Sequence, residues 1–432
     1  MDTRIACGLL PSAAPRMASV LRWARALARK APLAPLRFPS SGFTVIDSSV
    51  LLEEERFEGF AAGDFYPVNI GDVLASRYQV LGKLGFGSTS TVWLARNLVN
   101  QEHVALKVCT RDLADGHESK ILEAIAKANP SHPGYRYVRT ALETLQLERP
   151  GGGDHCCIVQ RPMWDSWSDL VRWNDSGLFS EDLLKAGLRC LFLALDYLHS
   201  ECRLVHTDIK ADNILQGIND KRILEAFTQA ELATPAPRKT VGGVTIYASR
   251  RFGLPRTFGE PVLSDFGAAV QGDLKRDHDA QPAVYRSPEV MLGTEWSYPV
   301  DIWNPGANEA RNNTKKIWDL FEGRHLFHGN DPADQMYSTR AHLAEVIGLL
   351  GAPPVDLLRR GRRSREFFAE DGTWIADVRI PSGMSSSLDT CEMRLEGDSR
   401  KRFLGLVRGM LQWRPEDRKT AKQLLQDPWI NS

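Results

Sequence analysis

Residues 206–213 read His-Thr-Asp-Ile-Lys-Ala-Asp-Asn, and this stretch decides the fold. It sets a carboxylate, a cation and an amide at close, fixed spacing in Asp208, Lys210 and Asn213. A carboxylate can accept a proton from a hydroxyl group, and amide and carboxylate oxygens are ligands for hard metal ions. Taken alone, the string also fits a polar loop in which Asp or Asn caps a helix. The remainder of the chain decides between these interpretations.

Six further segments accompany this stretch in a fixed order. Upstream are residues 84–92 (Leu-Gly-Phe-Gly-Ser-Thr-Ser-Thr-Val) and 104–107 (Val-Ala-Leu-Lys); downstream are 264–267 (Ser-Asp-Phe-Gly), 287–289 (Ser-Pro-Glu), 301–303 (Asp-Ile-Trp) and 414–418 (Arg-Pro-Glu-Asp-Arg). In this order and at this spacing, the set resembles the protein kinases. Residues 206–213 match the kinase catalytic loop except at Thr207, where arginine is usual. The resemblance implies an α+β fold of two lobes, a small β-rich N-terminal lobe and a large, mainly helical C-terminal lobe.

The same resemblance gives each polar residue of the loop a role in transfer of phosphate from ATP. Asp208 would orient or deprotonate the substrate hydroxyl, and Lys210 would steady the transferred γ-phosphoryl group. Asn213 and Asp265 would hold Mg²⁺ on the nucleotide. ATP and Mg²⁺ are therefore the expected cofactors.

The glycine-rich stretch and Lys107 are expected to form the ATP site. Its two glycines leave room for backbone N–H groups to approach phosphate oxygens. Lys107 needs an acidic partner on the following helix, and Glu118 fits the helical phase better than its competitor Glu123. The residues expected around ATP are Leu84, Gly85, Phe86, Gly87, Ser88, Val92, Ala105, Lys107 and Glu118.

Glu289 and Arg418 have a different expected role. The resemblance implies that they form a buried ion pair, which joins the substrate-binding segment to a late helix. Removal of one partner would leave an uncompensated buried charge. We therefore expect this pair to be structural.

Composition limits the classes of function. The formal net charge of the 432 residues is zero, so no overall field draws the chain to nucleic acid or to an anionic membrane. The seven cysteines are scattered without a Cys-x-x-Cys pair, which favours a reducing compartment over a disulfide framework or a zinc site. No apolar run approaches the roughly 20 residues that span a bilayer. We expect a monomer that acts on a protein substrate and does not bind nucleic acid directly.

The chain divides into three regions. Residues 1–64 are expected as a basic tail, 65–163 as the small lobe with its connection, and 164–430 as the large lobe. Hydrophobic patterns predict strands at 78–84, 91–96, 103–108 and 156–160, and helices at 118–126 and 182–199. Two inserts are expected in the large lobe, an extended loop or small hairpin at 216–261 and a polar segment at 305–316.

The N-terminus is rich in arginine and poor in acidic residues. Residues 17–30 can form a basic amphipathic helix, which resembles a mitochondrial transit peptide. The alternatives are a disordered tail or a protein that starts at Met17. Without a functioning targeting signal, we expect the cytoplasm and the nucleus.

Among protein kinases, the chain resembles the SR-protein kinases and is identified as a fungal-type member. The features are Phe-Tyr-Pro-Val at 65–68, Ser-Thr-Val-Trp-Leu-Ala at 90–95, Thr207, and Asp-Leu-Phe-Glu-Gly-Arg-His-Leu-Phe at 319–327. The resemblance implies phosphorylation of serine in Arg/Ser-rich splicing factors or other basic segments, and constitutive activity. Residues 268–284 contain no Ser, Thr or Tyr, which agrees with a switch that does not depend on phosphorylation. Ala-Asp at 211–212, where this family usually has Pro-Glu, is a departure.

A polar stretch at 304–316 raises an alternative. It follows Asp301-Ile302-Trp303, where kinases have a buried central helix, and Pro305 and Gly306 with polar neighbours cannot fill an apolar core. An insertion or a gene-model artefact would explain it. A pseudokinase or scaffold is therefore the alternative to an active enzyme. A small-molecule kinase of similar fold is a further alternative. Residues 287–293 argue against it, because they favour a kinase whose substrate is a protein.

Overall fold

The computed structural model describes residues 31–113, 116–149, 152–174, 176–306, 317–381 and 387–432. A six-stranded antiparallel sheet of order β1-β2-β3-β4-β6-β5 forms the small lobe. Its strands are β1 (Val73–Leu74), β2 (Tyr78–Phe86), β3 (Ser90–Asn97), β4 (His103–Cys109), β5 (Ala141–Arg149) and β6 (Gly153–Gln160). Helix α1 (Glu58–Ala61) precedes the sheet, and α2 (His117–Lys127) lies between β4 and β5. The four strands and the helix predicted for this lobe are present, each extended by one to three residues at its ends.

In the part of the chain that the structure describes, seven short strands follow the six-stranded sheet, between residues 163 and 271. These are β7 (Met163–Ser166), β8 (Leu204–Val205), β9 (Ile214–Ile218), β10 (Arg238–Val241), β11 (Val244–Tyr247), β12 (Phe258–Leu263) and β13 (Val270–Gln271). Strands β12, β9 and β7 form one sheet in that order, β13 pairs with β8, and β10 pairs with β11. The pairing of Leu263 with Ile214 places the residues that follow β12 beside those that precede β9.

The rest of the large lobe is helical. Its helices are α3 (Trp167–Leu170), α4 (Glu181–Ser200), α5 (Arg222–Ala233), α6 (Pro288–Leu292), α7 (Pro299–Trp303), α8 (Ile317–Glu322), α9 (Thr339–Leu350), α10 (Val355–Arg360), α11 (Leu388–Cys391), α12 (Gly397–Met410) and α13 (Ala421–Leu424). In α4, Ser180 caps the N-terminus by accepting a hydrogen bond from the Leu183 backbone N–H. The helix predicted at 182–199 is present as α4, and its leucines at 184, 188, 191, 195 and 198 are buried in the main core. The α+β, two-lobed architecture is thus confirmed.

The central core of the large lobe is built from both sides of the polar stretch. Trp303 at the end of α7 is fully buried, and all six residues of α8 are buried. A 3₁₀ turn, Asn304–Gly306, continues α7. The remainder of the predicted insert, 307–316, lies outside the described residues.

The insert at 216–261 contains more regular structure than an extended loop or small hairpin. The hairpin is present as β10 and β11, but it is preceded by the twelve-residue helix α5. Ile223, Leu224 and Phe227 of α5 pack against Leu81 and Leu94 of the small-lobe sheet. This stripe supplies the apolar contact that stabilises α5, and the contact partner was not visible in the local sequence pattern.

The prediction of a tail at 1–64 does not hold for residues 31–64, which contact the rest of the protein. The Lys239 ammonium of β10 lies 2.7 Å from Glu55, and the Lys83 ammonium of β2 lies 2.8 Å from Glu53. The Leu36 N–H donates to the Gln79 side chain. Residues 31–64 therefore lie against the small lobe and the insert, whereas 1–30, with the predicted targeting helix, lie outside the described residues.

None of the helices in the described part of the chain is both long enough and apolar enough to cross a membrane.

Candidate active site

The stretch 206–213 connects two short strands. β8 ends at Val205 and β9 begins at Ile214, so the loop is fixed at both ends. Both oxygens of the buried Asp301 carboxylate hold its first part, accepting from the backbone N–H groups of His206 at 2.7 Å and Thr207 at 2.8 Å. Thr207 has φ of +69°, a left-handed conformation that non-glycine residues rarely adopt and that persists only when its surroundings enforce it.

The three polar residues of the loop converge on one point. Lys210 Nζ lies 2.8 Å from Asp208 Oδ2, and Asn213 Nδ2 lies 3.0 Å from the same oxygen. Asn213 Nδ2 also donates to the Asp208 backbone carbonyl. Among the described residues, no hydrogen-bond partner is found for the buried Asp208 Oδ1. Its unused acceptor capacity agrees with the role expected of Asp208 toward a substrate hydroxyl.

Asp265 lies next to this loop because β12 pairs with β9. The backbone N–H of Ser264 donates to the Asn213 carbonyl at 2.8 Å, so the two metal-ligand candidates are neighbours. Asp265 has φ of +66°. Two adjacent segments of the site therefore carry a strained backbone, as is common where function fixes a conformation.

Lys107 links the two lobes. Its ammonium lies 2.7 and 2.9 Å from the two Glu118 carboxylate oxygens and 3.1 Å from Asp265 Oδ1. Burial lowers the pKa of Lys107, but the carboxylates of Glu118 and Asp265 more than offset it, so the net shift is upward. Burial raises the pKa of Asp265, and Lys107 reverses this to a net lowering. Of the two candidates, Glu118 is the partner of Lys107, whereas Glu123 lies on the exposed side of α2 and pairs with Lys127.

The cleft between the lobes is a cavity of about 520 Å³. The β2–β3 hairpin covers it, closed by a hydrogen bond of 2.8 Å from the Gly87 N–H to the Ser90 carbonyl. A Cβ atom at Gly85 or Gly87 would meet no neighbour, so these glycines leave the hairpin backbone open to the cavity. All nine residues expected around ATP line this cavity: Leu84, Gly85, Phe86, Gly87, Ser88, Val92, Ala105, Lys107 and Glu118.

With this geometry established, comparison with known proteins decides the family. A protein kinase domain model matches residues 78–248. A serine/threonine protein kinase of Aspergillus fumigatus is 42% identical over 405 residues, which cover 93% of this chain and 96% of that protein. The chain belongs to the serine/threonine protein kinases.

More distant relatives carry more specific names. A serine/threonine-protein kinase SRPK of Physarum polycephalum is 28% identical, with 88% of this chain and 91% of that protein covered. The human SRSF protein kinase 3 is 24% identical, with 88% and 90% covered. The crystal structure of a kinase domain superposes with a TM-score of 0.62 at 20% identity and covers 85% of this chain and 99% of that one, which supports the fold.

The residues of the kinase site fit a nucleotide with Mg²⁺. Mg²⁺ prefers oxygen ligands and is commonly held by one or two protein side chains together with substrate phosphates. Asp265 and Asn213 are adjacent and offer such oxygens, and Lys107 stands beside Asp265 as a cation for the phosphates. When bound, the metal neutralises charge that develops on the phosphates during transfer. Asp208 and Lys210, which are hydrogen-bonded to each other, would act on the substrate hydroxyl and on the γ-phosphoryl group.

Glu289 and Arg418 are brought together as an ion pair. Two hydrogen bonds of 2.5 and 2.6 Å join the side chains, and both are fully buried. Arg418 also donates to the Pro299 carbonyl at 3.1 Å and stacks over the ring of Trp303. The pair fastens α6 to the segment before α13 beside the central core.

Sequence patterns gave no sign that the insert reaches the cleft. The Arg250 N–H donates to the Lys83 carbonyl of β2 at 2.9 Å, and Arg251 lies 2.8 Å from Asp169 of α3. The Trp164 indole N–H donates to the Gly253 carbonyl. The segment therefore joins both lobes at the edge of the cavity. The sequence around Arg250 and Arg251 has no clear pattern, so their position at the cavity could not be predicted from it.

Arg139 was also missed. It lies in the cavity wall with Gln160, and its Nη2 donates to the Arg161 carbonyl at 3.2 Å. Its backbone N–H donates to the Leu263 carbonyl, which fixes Arg139 beside the strand that leads to Asp265. A lone arginine before β5 matches no motif, so only the fold reveals its place.

Proposed function

We propose that this kinase phosphorylates serine in Arg/Ser-rich or other basic protein segments, and that it is active without phosphorylation of its activation segment, residues 267–285. The observation that carries the proposal is the environment of Thr207. Its hydroxyl donates to the Ala268 carbonyl at 3.0 Å and so joins the catalytic loop directly to the start of that segment. In many kinases an arginine at this position pairs with a phosphate, and threonine cannot do so.

The paired state of Lys107 supports the second part of the proposal. Activation of many kinases requires the Lys–Glu pair and the metal-binding aspartate to be in place together. Here Lys107 contacts both Glu118 and Asp265. Residues 268–284 offer no hydroxyl to phosphorylate.

A basic substrate agrees with the charges of the activation segment. Asp273, Asp277 and Asp279 are each more than half exposed, and each pairs with an arginine of this chain, Arg203, Arg362 or Arg286. Exposed ion pairs are weak, so arginines of a substrate can replace those of the enzyme at little cost. The names of the relatives, SRPK and SRSF protein kinase 3, point to the same substrate class.

Transfer of labelled phosphate to matched peptides tests the proposal. An Arg-Ser repeat peptide should be phosphorylated faster than a Glu-Ser repeat of equal length, and phosphatase treatment of the enzyme should leave the rate unchanged. Asp208→Ala is the inactive control. Equal rates on the two peptides would refute the basic-substrate proposal, and loss of activity after phosphatase treatment would refute phosphorylation independence.

A pseudokinase or scaffold is the second candidate, favoured by the polar stretch that follows Trp303. Deletion of 307–316 separates the two functions. If the stretch damages the lobe, the deletion raises both the melting temperature and the phosphotransfer rate. If the wild type transfers phosphate as fast as the deletion variant does, the scaffold alternative fails.

For the compartment, we propose the cytoplasm and the nucleus, with residues 17–30 as the segment that would redirect the protein to mitochondria. Replacement of Arg22, Arg25 and Arg29 by Glu in a fluorescently tagged protein tests this segment. A mitochondrial signal that the replacement abolishes would assign a targeting role, and a diffuse signal in both proteins would exclude one.

A further inference from the structure

The nucleotide cavity contains a cation that the chemistry described above does not use. Lys107 and Lys210 serve the phosphate end, whereas Arg139, which precedes β5, is a further cation in the lining of the cavity. Arg139 is half-buried, and among the described residues its buried Nε has no hydrogen-bond partner. A buried guanidinium atom without a partner is costly, so this position calls for an acceptor.

The location of Arg139 assigns it to the base end of the cavity. The phosphate end is fixed by the glycine hairpin, Lys107 and Asp265. The other end lies at the connection from β6 to β7, where Leu84, Ala105 and Met163 provide apolar surfaces for a flat ring. Arg139 Nη2 donates to the carbonyl of Arg161 within that connection.

The base end of the cavity offers mainly hydrogen-bond donors to a ligand. Arginine has five N–H donors and no acceptor. The Arg161 carbonyl, an acceptor of the connection, already receives a hydrogen bond from Arg139. Burial lowers the pKa of Arg139 to about 10, with Glu118 and Asp265 acting in the opposite direction, so the group remains protonated at neutral pH. The Gln160 side chain offers both a donor and an acceptor, so hydrogen-bond donors still outnumber acceptors at this end.

Purines differ at the atom that would meet these donors. Adenine has an amino group at position 6, which is a donor, whereas guanine has O6, which is an acceptor. A guanidinium opposes the first and pairs with the second. Resting on the kinase fold and its cavity, we propose that Arg139 is a specificity-determining residue that lets this enzyme use a 6-oxopurine nucleotide, GTP, as phosphoryl donor in addition to ATP.

Nucleotide binding tests the proposal without any peptide substrate, so its outcome is independent of the basic-substrate proposal. The dissociation constants of MgADP, MgGDP and MgIDP would be measured by competition against a fluorescent ADP analogue. The wild type should bind GDP and IDP within about tenfold of ADP. IDP has O6 but lacks the 2-amino group of guanine, so it isolates recognition of O6.

Arg139→Met keeps the length of the side chain and removes the donors. The affinity for GDP and IDP relative to ADP should fall by about tenfold, the order expected for a lost base-edge hydrogen bond. Arg136→Met is the matched control, because Arg136 is exposed three residues earlier and pairs with Glu260 outside the cavity. The control should leave all three constants unchanged, and melting temperatures of both variants would verify folding.

A relative affinity in Arg139→Met that differs less than threefold from that of the wild type would overturn the proposal. The same holds if GDP loses affinity and IDP does not, since recognition would then rest on the 2-amino group. Should Arg139→Met fail to fold, Arg139→Lys replaces it. It keeps one charge without the planar fork and should reduce the same ratio at least threefold.

Discussion

The hydroxyl of Thr207 donates a hydrogen bond of 3.0 Å to the carbonyl of Ala268, three residues after Asp265. The catalytic loop and the activation segment are thereby joined through one side chain. Thr207 is buried, and its backbone N–H is held by Asp301, so the hydroxyl has a fixed direction. In this chain a neutral hydrogen bond occupies the position at which many kinases have an arginine that pairs with a phosphate.

Thr207→Val should lower kcat while leaving the fold intact. Valine preserves the β-branched shape but leaves the Ala268 carbonyl without its donor, which costs about 1 kcal/mol and hence about a fivefold loss if the contact aligns the transition state. Thr207→Ser should retain most of the activity because it restores the hydroxyl. Steady-state kinetics on a basic peptide would measure both variants, and equal kcat for Val and wild type would contradict this role.

Glu118→Gln should reduce kcat/KM for ATP by about 100-fold, comparable to the loss of one preorganised charged contact in an active site. The neutral amide cannot balance the Lys107 ammonium, which it meets at 2.7 to 2.9 Å in the wild type. Glu123→Gln, five residues further along the same helix and exposed, is the matched control and should have the activity of the wild type. A similar loss in both variants would show that the helix as a whole, rather than the Lys107 contact, was perturbed.

These two sites show what the sequence could supply. The loop 206–213, the glycine hairpin and Asp265 are identified from spacing. The hairpin and Asp265 line the cavity, and Asn213 of the loop is hydrogen-bonded to Ser264, the residue before Asp265. The choice between Glu118 and Glu123 rested on helical phase alone, since the segment before α2 has no firm pattern. The structure separates them because only the first faces β4.

Other parts of the site were beyond local patterns. Arg139 and Arg251 reach the cavity only because β5 pairs with β6 and because the insert packs on β2. Helix α5 was missed because its stripe of Ile223, Leu224 and Phe227 is short and its partners lie some 140 positions away in sequence. Long-range contacts of this kind carry no periodic signal in either segment.

Glu289→Gln should lower the free energy of unfolding by about 3–5 kcal/mol, because it leaves the buried Arg418 guanidinium without its counter-charge. Urea denaturation would measure this. The double variant Glu289→Leu with Arg418→Met removes both charges and should recover most of the loss, since apolar replacements of a buried ion pair are often neutral. A double variant as unstable as the sum of the single ones would contradict the argument.

Glu322 makes stability depend on pH. Burial raises its pKa from 4.5 to about 7, so between these values the folded chain binds a proton that the unfolded chain has lost. The contribution of Glu322 to stability is therefore full below about pH 4.5 and is lost as the pH rises through about 7. The resulting decrease in the free energy of unfolding is on the order of 3 kcal/mol.

Glu322→Gln cannot titrate and should remove this component. Melting temperatures of the wild type and the variant, measured from pH 5 to pH 8, would show the difference as a flatter profile for the variant. Parallel profiles would mean that Glu322 does not titrate in this range.

We propose that Asp208, Lys210, Lys107 and Asp265 form a phosphotransfer site that needs no phosphate on the activation segment. The most direct measurement is the rate of labelled-phosphate transfer to an Arg-Ser repeat peptide by phosphatase-treated enzyme, beside Asp208→Ala. We predict full activity for the treated wild type and none for the variant. A treated wild type no more active than Asp208→Ala would contradict the claim.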